Sequence, residues 1–229
     1  MDAIGNQKPL PELVYERVVE AICNGSLAPG ERVTQAGLAG ELDVSRLPVG
    51  QALKRLEAEG FVRPTGRRGL RIAPLEERFV RELYEFRAGI DLVSAGLAAR
   101  SADPNLRGRG DAIIERGRRA AHGRDIPELI AADMAFHQLI YEAAGNGLIL
   151  DTMASHWNHT RRVMQTILSD DRHQEQVWCD HADILEAVCS GDVAEAERLA
   201  RRHAERAADW FKHEVARAET AARAGTGEG

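Results

Sequence analysis

The residues with the clearest chemical potential in this 229-residue sequence are one aspartate and three histidines. Asp133 and His137 are i and i+4 neighbours on the apolar stripe of a predicted helix, so both project from one patch of its inward face. His181 and His203 lie on the apolar stripes of two further predicted helices. Buried together, these groups cost free energy unless something pairs with them, and a divalent cation would satisfy all four. The pattern therefore predicts a metal site that suits Zn²⁺, Ni²⁺ or Mn²⁺.

The other histidines leave alternatives open. His156 also follows the helical spacing of an apolar stripe and is a rival ligand, and His159, at the edge of the same face, is a weaker one. His122, His173 and His213 lie off the stripes, and we expect them at the surface. A single inward histidine is more often a hydrogen-bonded core residue than a ligand. Three separate predicted helices each place such a group on the inward face, and this agreement favours a metal site over isolated core histidines.

A short basic stretch stands out in a chain whose net charge is −6. Residues 44–73 contain seven basic side chains and only two acidic ones. Such a patch in an acidic protein indicates a contact with a polyanion, although a solvated helix face is an equally common explanation.

The elements of the first 75 residues follow the order of a winged helix-turn-helix. Helices are predicted over 13–24, 35–42 and 45–59, and two short strands over 61–63 and 70–72 enclose a basic turn. Thr34 is predicted to cap the second helix and Ser45 the third. In a helix-turn-helix the second helix of the motif enters the major groove with its N-terminal residues at base edges and phosphates. The candidate DNA contacts are therefore Thr34, Gln35, Ser45 and Arg46, with Arg67 and Arg68 at the wing tip.

The rest of the chain contains only helix signals after a linker marked by Pro74 and Glu76-Glu77. Six helices are predicted, over roughly 78–100, 105–121, 126–144, 147–169, 173–190 and 193–220. The inward stripe predicted for the first of them consists of Val80, Leu83, Phe86, Ile90, Val93 and Leu97. The fold class is therefore mainly α. We predict a winged helix-turn-helix with a two-stranded wing over 8–75, an all-α bundle over 76–222 and a disordered tail over 223–229.

Composition restricts the location and class of the protein. No apolar run approaches the roughly 20 residues that a membrane span requires, so no membrane association is expected. The N-terminus lacks the basic and then apolar start of a secretory signal. Cys23, Cys179 and Cys189 show no metal-ligand spacing and are typical of reduced thiols. We expect a cytoplasmic protein.

The motifs of the first half carry a family resemblance. They are Gly25-Ser26-Leu27-Ala28-Pro29-Gly30-Glu31-Arg32, Leu38-Ala39, Val44-Ser45-Arg46, Pro48-Val49, Ala52-Leu53, Leu56, Glu59-Gly60 and Gly69. With them the stretch from Tyr15 to Ala73 resembles the DNA-binding domain of the GntR family. The chain departs from the family pattern at Gly50, where the family usually has an arginine that contacts DNA. The chain therefore need not share the operator preference of its relatives, although DNA binding itself is still expected.

A second resemblance covers roughly Arg81 to Ala216. It rests on Asp133-x3-His137, on His181 followed by Ile184, Ala187, Gly191-Asp192 and Ala196, and on His203. This half is similar to the FCD ligand-binding domain of the FadR subfamily of GntR regulators. Resemblance to the metal-binding branch implies that Asp133, His137, His181 and His203 coordinate a divalent ion, with zinc expected, whose open positions receive an effector carboxylate. The acyl-CoA-binding branch lacks this set, which argues against a fatty-acyl effector.

Two arginines could bind the effector carboxylate bidentately, Arg87 near the stripe of the first bundle helix and Arg162 in the fourth. A surface salt bridge is the alternative for each. The sequence thus predicts a transcriptional regulator that binds double-stranded operator DNA as a homodimer and responds to a small organic acid. It is not expected to be an enzyme. The alternatives are a regulator for which the ion is the signal and, less favoured, a metal-dependent hydrolase.

Overall fold

The computed structural model describes residues 8–66, 69–101, 103–168 and 171–225. The chain divides into two compact units, Met1–Leu75 and Glu76–Gly229. The first contains three helices and a small sheet among its described residues, and the second contains six helices. The mainly helical fold predicted from the sequence is confirmed.

The N-terminal unit has the winged-helix order. Its elements are α1 (Leu10–Cys23), β1 (Arg32–Val33), α2 (Gln35–Glu41), α3 (Arg46–Ala58), β2 (Val62–Pro64) and β3 (Leu70–Ile72). The strands form an antiparallel sheet in the order β1-β3-β2, in which Arg71 on β3 pairs with Arg32 on β1 and with Arg63 on β2. The predicted wing strands are present, and β1 adds a third. Two residues are too few to show the alternating pattern by which a strand is recognised in sequence.

Local sequence explains where the helices of this unit begin. The backbone N–H of Gly37 donates to Thr34 Oγ1 at 3.0 Å, so Thr34 caps α2 as predicted. Ser45 occupies the N-cap position of α3, but its side chain makes no capping hydrogen bond. The core beneath these helices is apolar and includes Val49, Leu56 and Phe61, all fully buried. Burial of this apolar surface stabilises the unit.

The C-terminal unit is an all-helical bundle. Its helices are α4 (Glu77–Ser101), α5 (Leu106–Gly123), α6 (Ile126–Ala144), α7 (Gly147–Ile167), α8 (Asp171–Cys189) and α9 (Val193–Gly225). All six coincide with the predicted helices. Helix α9 continues to Gly225, into the segment expected to be a disordered tail, and 226–229 lie outside the described residues. Within the described ranges, no helix combines the length and the apolar character needed to cross a membrane.

The predicted inward stripe of α4 is wrong in part. Phe86 and Val93 are 38% and 46% exposed, whereas Arg87 and Asp91 lie on the buried face. That face is otherwise rich in small residues, and a Cβ atom added at Gly96 would lie 2.2 Å from Oε1 of Glu197 on α9. Small side chains let α9 pack closely on α4, so the buried face is not the one with the largest apolar residues.

Candidate metal centre and nucleic-acid interface

Three helices of the bundle bring the four predicted ligands together. Asp133 and His137 come from α6, His181 from α8 and His203 from α9, and their candidate donor atoms all lie within 4.8 Å of one another. None of the four side chains is more than 5% exposed. Among the described residues, this is the one group of histidines, cysteines and acids found close enough to hold an ion.

The distances within the group leave donor atoms unsatisfied. His181 Nε2 lies 3.3 Å from Asp133 Oδ1, and His137 Nε2 lies 3.8 Å from Asp133 Oδ2. Asp133 Oδ2 and both ring nitrogens of His181 have no hydrogen-bond partner in the described part of the chain. Buried polar atoms without partners are costly, and a carboxylate with imidazoles is the donor set of zinc and similar divalent ions. The residues therefore fit a metal ion.

The protonation state of the histidines suits metal binding. Burial, reinforced by the nearby positive charge of Arg87, lowers the pKa of His137 well below 6.5. Burial likewise lowers the pKa of His181 well below 6.5. Burial raises the pKa of Asp133, and the charge of Arg87 opposes that rise. Both imidazoles are consequently neutral near pH 7, with lone pairs available as ligands.

An outer carboxylate lies beside His203. Its Nδ1 lies 3.5 Å from Asp180 Oδ2, while Arg206 and Gln176 donate to Oδ1 of the same carboxylate at 2.6 and 3.0 Å. Burial opposes ionisation of Asp180, but the nearby His203 and the hydrogen bond from Arg206 lower its pKa to about 2. A carboxylate held at one ring nitrogen directs the other towards the site, as is common around metal-binding histidines. Asp180 directly precedes His181 in the sequence but was not among the predicted site residues.

Arg87 adds a buried positive charge to the cluster. It is 2% exposed, its Nη2 donates to His137 Nε2 at 2.5 Å, and its Nε lies 3.3 Å from Asp91 Oδ2. The hydroxyl of Tyr141 donates to the other oxygen of Asp91. The surface salt bridge considered for Arg87 is therefore wrong. Asp91 and Tyr141 were missed, although each follows a predicted site residue, Arg87 or His137, by four positions on the same helix.

The remaining histidines lie elsewhere. His156 Nδ1 contacts the Thr152 carbonyl oxygen at 2.8 Å, and its ring lies 5.0 Å from that of Phe86. His159 is buried with its ring 4.9 Å from that of Phe79. Neither rival belongs to the four-residue group. His122 and His213 are exposed, whereas His173 is half-buried against Trp210. Arg162 is buried on α7, so it too is not at the surface.

A groove of about 720 Å³ in the N-terminal unit contains three of the six predicted DNA contacts. It is lined by residues of α2, α3 and the wing, including Thr34, Gln35, Arg46 and Lys54. Ser45 is exposed at the N-terminus of α3, and Arg46 follows it. Arg67 and Arg68 lie outside the described residues.

Gln35 and Gly50 form a close contact inside this groove. The side-chain amide of Gln35 donates to the backbone carbonyl of Arg46 at 2.5 Å. A Cβ atom added at Gly50 would lie 2.6 Å from Gln35 Nε2. The absence of a side chain at Gly50 thus leaves space for Gln35 beside the first turns of α3. The hydrogen bond from Gln35 to the Arg46 carbonyl links α2 to α3 at this point.

Not all of the basic stretch belongs to this groove. Arg55 donates to Glu12 at 2.6 Å and to Glu59 at 2.8 Å, and its guanidinium lies 3.7 Å from the ring centroid of Tyr15. These contacts tie α3 to α1. Arg55 therefore stabilises the packing of α3 on α1. Fewer basic side chains are available to bind a polyanion than the count of seven in residues 44–73 indicates.

Comparison with known proteins gives two family matches. Residues 10–72 match the family described as bacterial regulatory proteins, gntR family. Residues 82–206 match the FCD domain. Together the two matches cover both units.

Individual relatives agree with these matches. The chain is 27% identical over 219 residues to "Uncharacterized HTH-type transcriptional regulator YdhC" of Bacillus subtilis, covering 93% of this chain and 96% of that protein. It is 28% identical over 196 residues to "Probable D-xylose utilization operon transcriptional repressor" of Paenarthrobacter nicotinovorans, covering 83% of each. Among solved structures, "E. coli McbR/YncC" is similar with a TM-score of 0.77 at 16% identity, covering 91% of this chain and 100% of that one. At this identity the last match shows the fold alone.

Proposed function

The chain belongs to the GntR family of bacterial transcriptional regulators that carry an FCD domain, and we propose that a small carboxylate bound at Asp133, His137, His181 and His203 controls its affinity for operator DNA. It is a DNA-binding transcriptional regulator with an effector-binding domain, and its relatives are regulators and not enzymes. The observation that supports the proposed control is the buried group of four donors within 4.8 Å, several of which lack protein partners.

The four ligand residues would hold a divalent ion, with zinc favoured. The ion would act as a Lewis acid that coordinates one carboxylate oxygen of the effector. Arg87 would bind the second oxygen. Its Nη2 now donates to His137 Nε2, the ring nitrogen that also faces Asp133. If that lone pair serves the ion, the Nη2 group of Arg87 is left for an incoming anion while Nε stays beside Asp91, and a carboxylate is the best-matched acceptor. We therefore favour Arg87 over Arg162 as the effector anchor.

On DNA, Arg46 would read a base edge and Ser45 would hold a phosphate. Ser45 Oγ makes no capping hydrogen bond, so it would be available to bind a DNA phosphate. Thr34 and Gln35 would act mainly by supporting the helices that carry these contacts. Arg67 and Arg68 at the wing tip remain proposed backbone contacts.

We propose a homodimer on a pseudo-palindromic operator, because two-fold protein symmetry matches two half-sites. Like the Paenarthrobacter relative named a repressor, the effector-free protein would repress. The carboxylate must bind the operator-competent and operator-incompetent states with different affinities, since a ligand with equal affinity for both shifts nothing.

Metal content, thermal melting and operator binding test this proposal together. The purified full chain should carry about one ion, and acetate, glycolate or citrate should raise its melting temperature only when the ion is present. An operator selected from random DNA should be released by the same carboxylate. Stabilisation of the chelated chain by the same amount would contradict the site. Loss of the ion during purification, with operator binding controlled by metal alone, would favour a metal sensor instead.

A further inference from the structure

We propose that the effector reaches the buried site through a groove between α4 and α9, and that Tyr84 at this groove donates its hydroxyl to the bound carboxylate. This inference rests on the proposed function and names both an entrance and a further donor for the same site. Neither the metal-ligand pattern nor the family resemblance pointed to Tyr84.

An entrance is needed because the site is closed. The four proposed ligands and Arg87 are each no more than 5% exposed. On the surface, residues of α4 and α9 line a groove of about 730 Å³. Tyr84, Ala88 and Gly89 line it from α4, and Ala208 from α9. The rest of the lining includes charged side chains of both signs, among them Arg81 and Glu85 on α4 and Arg201 and Glu205 on α9.

Tyr84 connects this groove to the cluster. It lines the groove although it is only 1% exposed, and the guanidinium carbon of Arg87 lies 5.4 Å from its ring centroid. Its hydroxyl oxygen is buried and has no hydrogen-bond partner among the residues described. The ring thus lines the groove and lies near Arg87, and in this proposal it closes the route until its side chain moves.

The chemistry of the unsatisfied groups identifies the class of ligand. Burial raises the pKa of Tyr84 to about 12, against the opposing charge of Arg87, so the hydroxyl is a neutral donor. The phenol O–H is a donor, and so is the Arg87 Nη2 group, which would lose His137 as its acceptor if His137 Nε2 bound the ion; a cation cannot satisfy either of them. Both require an acceptor. A carboxylate provides two oxygens with several lone pairs, enough for a metal ion, Arg87 and Tyr84 at once.

The conservative variant Tyr84→Phe tests the donor. The cobalt(II)-loaded full chain is titrated with acetate, glycolate and citrate while the visible absorption of the ion is recorded. Tyr84→Phe should bind cobalt with an unchanged spectrum and melting temperature, whereas the dissociation constant of the carboxylate should rise about tenfold. An unchanged dissociation constant overturns the role of the hydroxyl. If none of the three anions alters the wild-type cobalt spectrum, the inference is also wrong.

The entrance is tested by filling the groove. A Cβ atom at Gly89 would have no neighbour within 4 Å, so Gly89→Leu adds bulk there without a local clash. Gly108 is an exposed helical glycine on α5 with the same open surroundings, so Gly108→Leu is the matched control. Stopped-flow mixing with the carboxylate should show at least a fivefold slower association for Gly89→Leu only.

Equal association rates for the two glycine variants would overturn the entrance. A wild-type chain that binds no cobalt refutes the proposed function itself. By contrast, a cobalt-loaded chain that binds carboxylate but is insensitive to Tyr84→Phe and Gly89→Leu refutes only this inference.

Discussion

The two units of this protein have different kinds of core. Every buried polar or charged residue among those described belongs to the C-terminal unit, and the buried residues of the N-terminal unit are apolar. Burial of apolar surface needs no ligand, so the DNA-binding unit should fold by itself. The C-terminal core holds a carboxylate and histidines whose donor atoms lack partners, so we expect its stability to depend on what binds them. The contrast separates a DNA-binding unit with an apolar core from a unit that we propose to be stabilised by its ligand.

The positions of the tryptophans and histidines allow the stability of the two units to be measured separately. All three tryptophans and all eight histidines follow residue 76. Intrinsic tryptophan fluorescence therefore reports unfolding of the C-terminal unit, and operator binding reports the N-terminal unit.

Removal of the ion should have the largest effect. Chelation should lower the free energy of unfolding of the C-terminal unit by about 4 kcal/mol, the value expected for a ligand at roughly 1,000 times its dissociation constant. His181→Ala should do the same, because it removes one ligand and leaves Asp133 and two histidines buried without a cation. Elemental analysis and fluorescence melting measure both, and operator binding should largely persist without effector.

His213→Ala is the control for this experiment, since His213 is exposed on α9 and lies outside the four-residue group. It should change neither metal content nor melting. Full metal content together with wild-type melting in His181→Ala would place the site elsewhere, and His156 would be the next residue to test.

Acid should destabilise the same unit in the metal-free chain. The pKa values of His137 and His181 are well below 6.5 in the folded state, so below pH 6.5 the unfolded chain binds protons that the folded chain does not. The free energy of unfolding should therefore fall by roughly 1.4 kcal/mol per histidine for each pH unit below 6.5. Fluorescence-monitored urea unfolding between about pH 7 and 5.5 measures this slope.

His181→Ala should halve the slope, and His213→Ala should leave it unchanged. A slope that His181→Ala does not alter would show that the buried imidazoles are not its source.

In the N-terminal unit, Arg46→Ala should weaken binding to the selected operator by about 1–3 kcal/mol while tryptophan fluorescence and melting stay the same. The physical reason is loss of a bidentate contact from the N-terminus of α3. Gel-shift titration at fixed salt measures the affinity. Equal affinity of the variant and the wild type would remove Arg46 from the set of base contacts.

The smallest effect is expected at the contact between Gln35 and Gly50. Gln35→Ala removes the hydrogen bond to the Arg46 carbonyl and should weaken operator binding by about 1 kcal/mol. Gly50→Ala displaces the same amide and should weaken binding similarly, although alanine favours the helix. The double variant should be no weaker than either single variant. Additive losses in a gel-shift double-mutant cycle would show that the two residues act separately.

The boundaries of the elements were largely predictable because their signals are local. The Thr34 cap and the period of the apolar residues of α6 each depend on neighbours within about one helical turn. The buried face of α4 was not predictable in the same way. Phe86 and Val93 fit a helical period but are exposed, because packing with α9 favours small residues and paired charges.

Helical periodicity was enough to predict which helices could present Asp133, His137, His181 and His203 inward, because it fixes the side of each helix on which a residue lies. The packing of the bundle established that α6, α8 and α9 meet with those faces together and that His156 lies outside the group. It also decided that Arg87, Asp91, Tyr141 and Tyr84 surround the same volume. Contacts between helices distant in sequence depend on packing between whole elements, which periodicity within one helix does not encode.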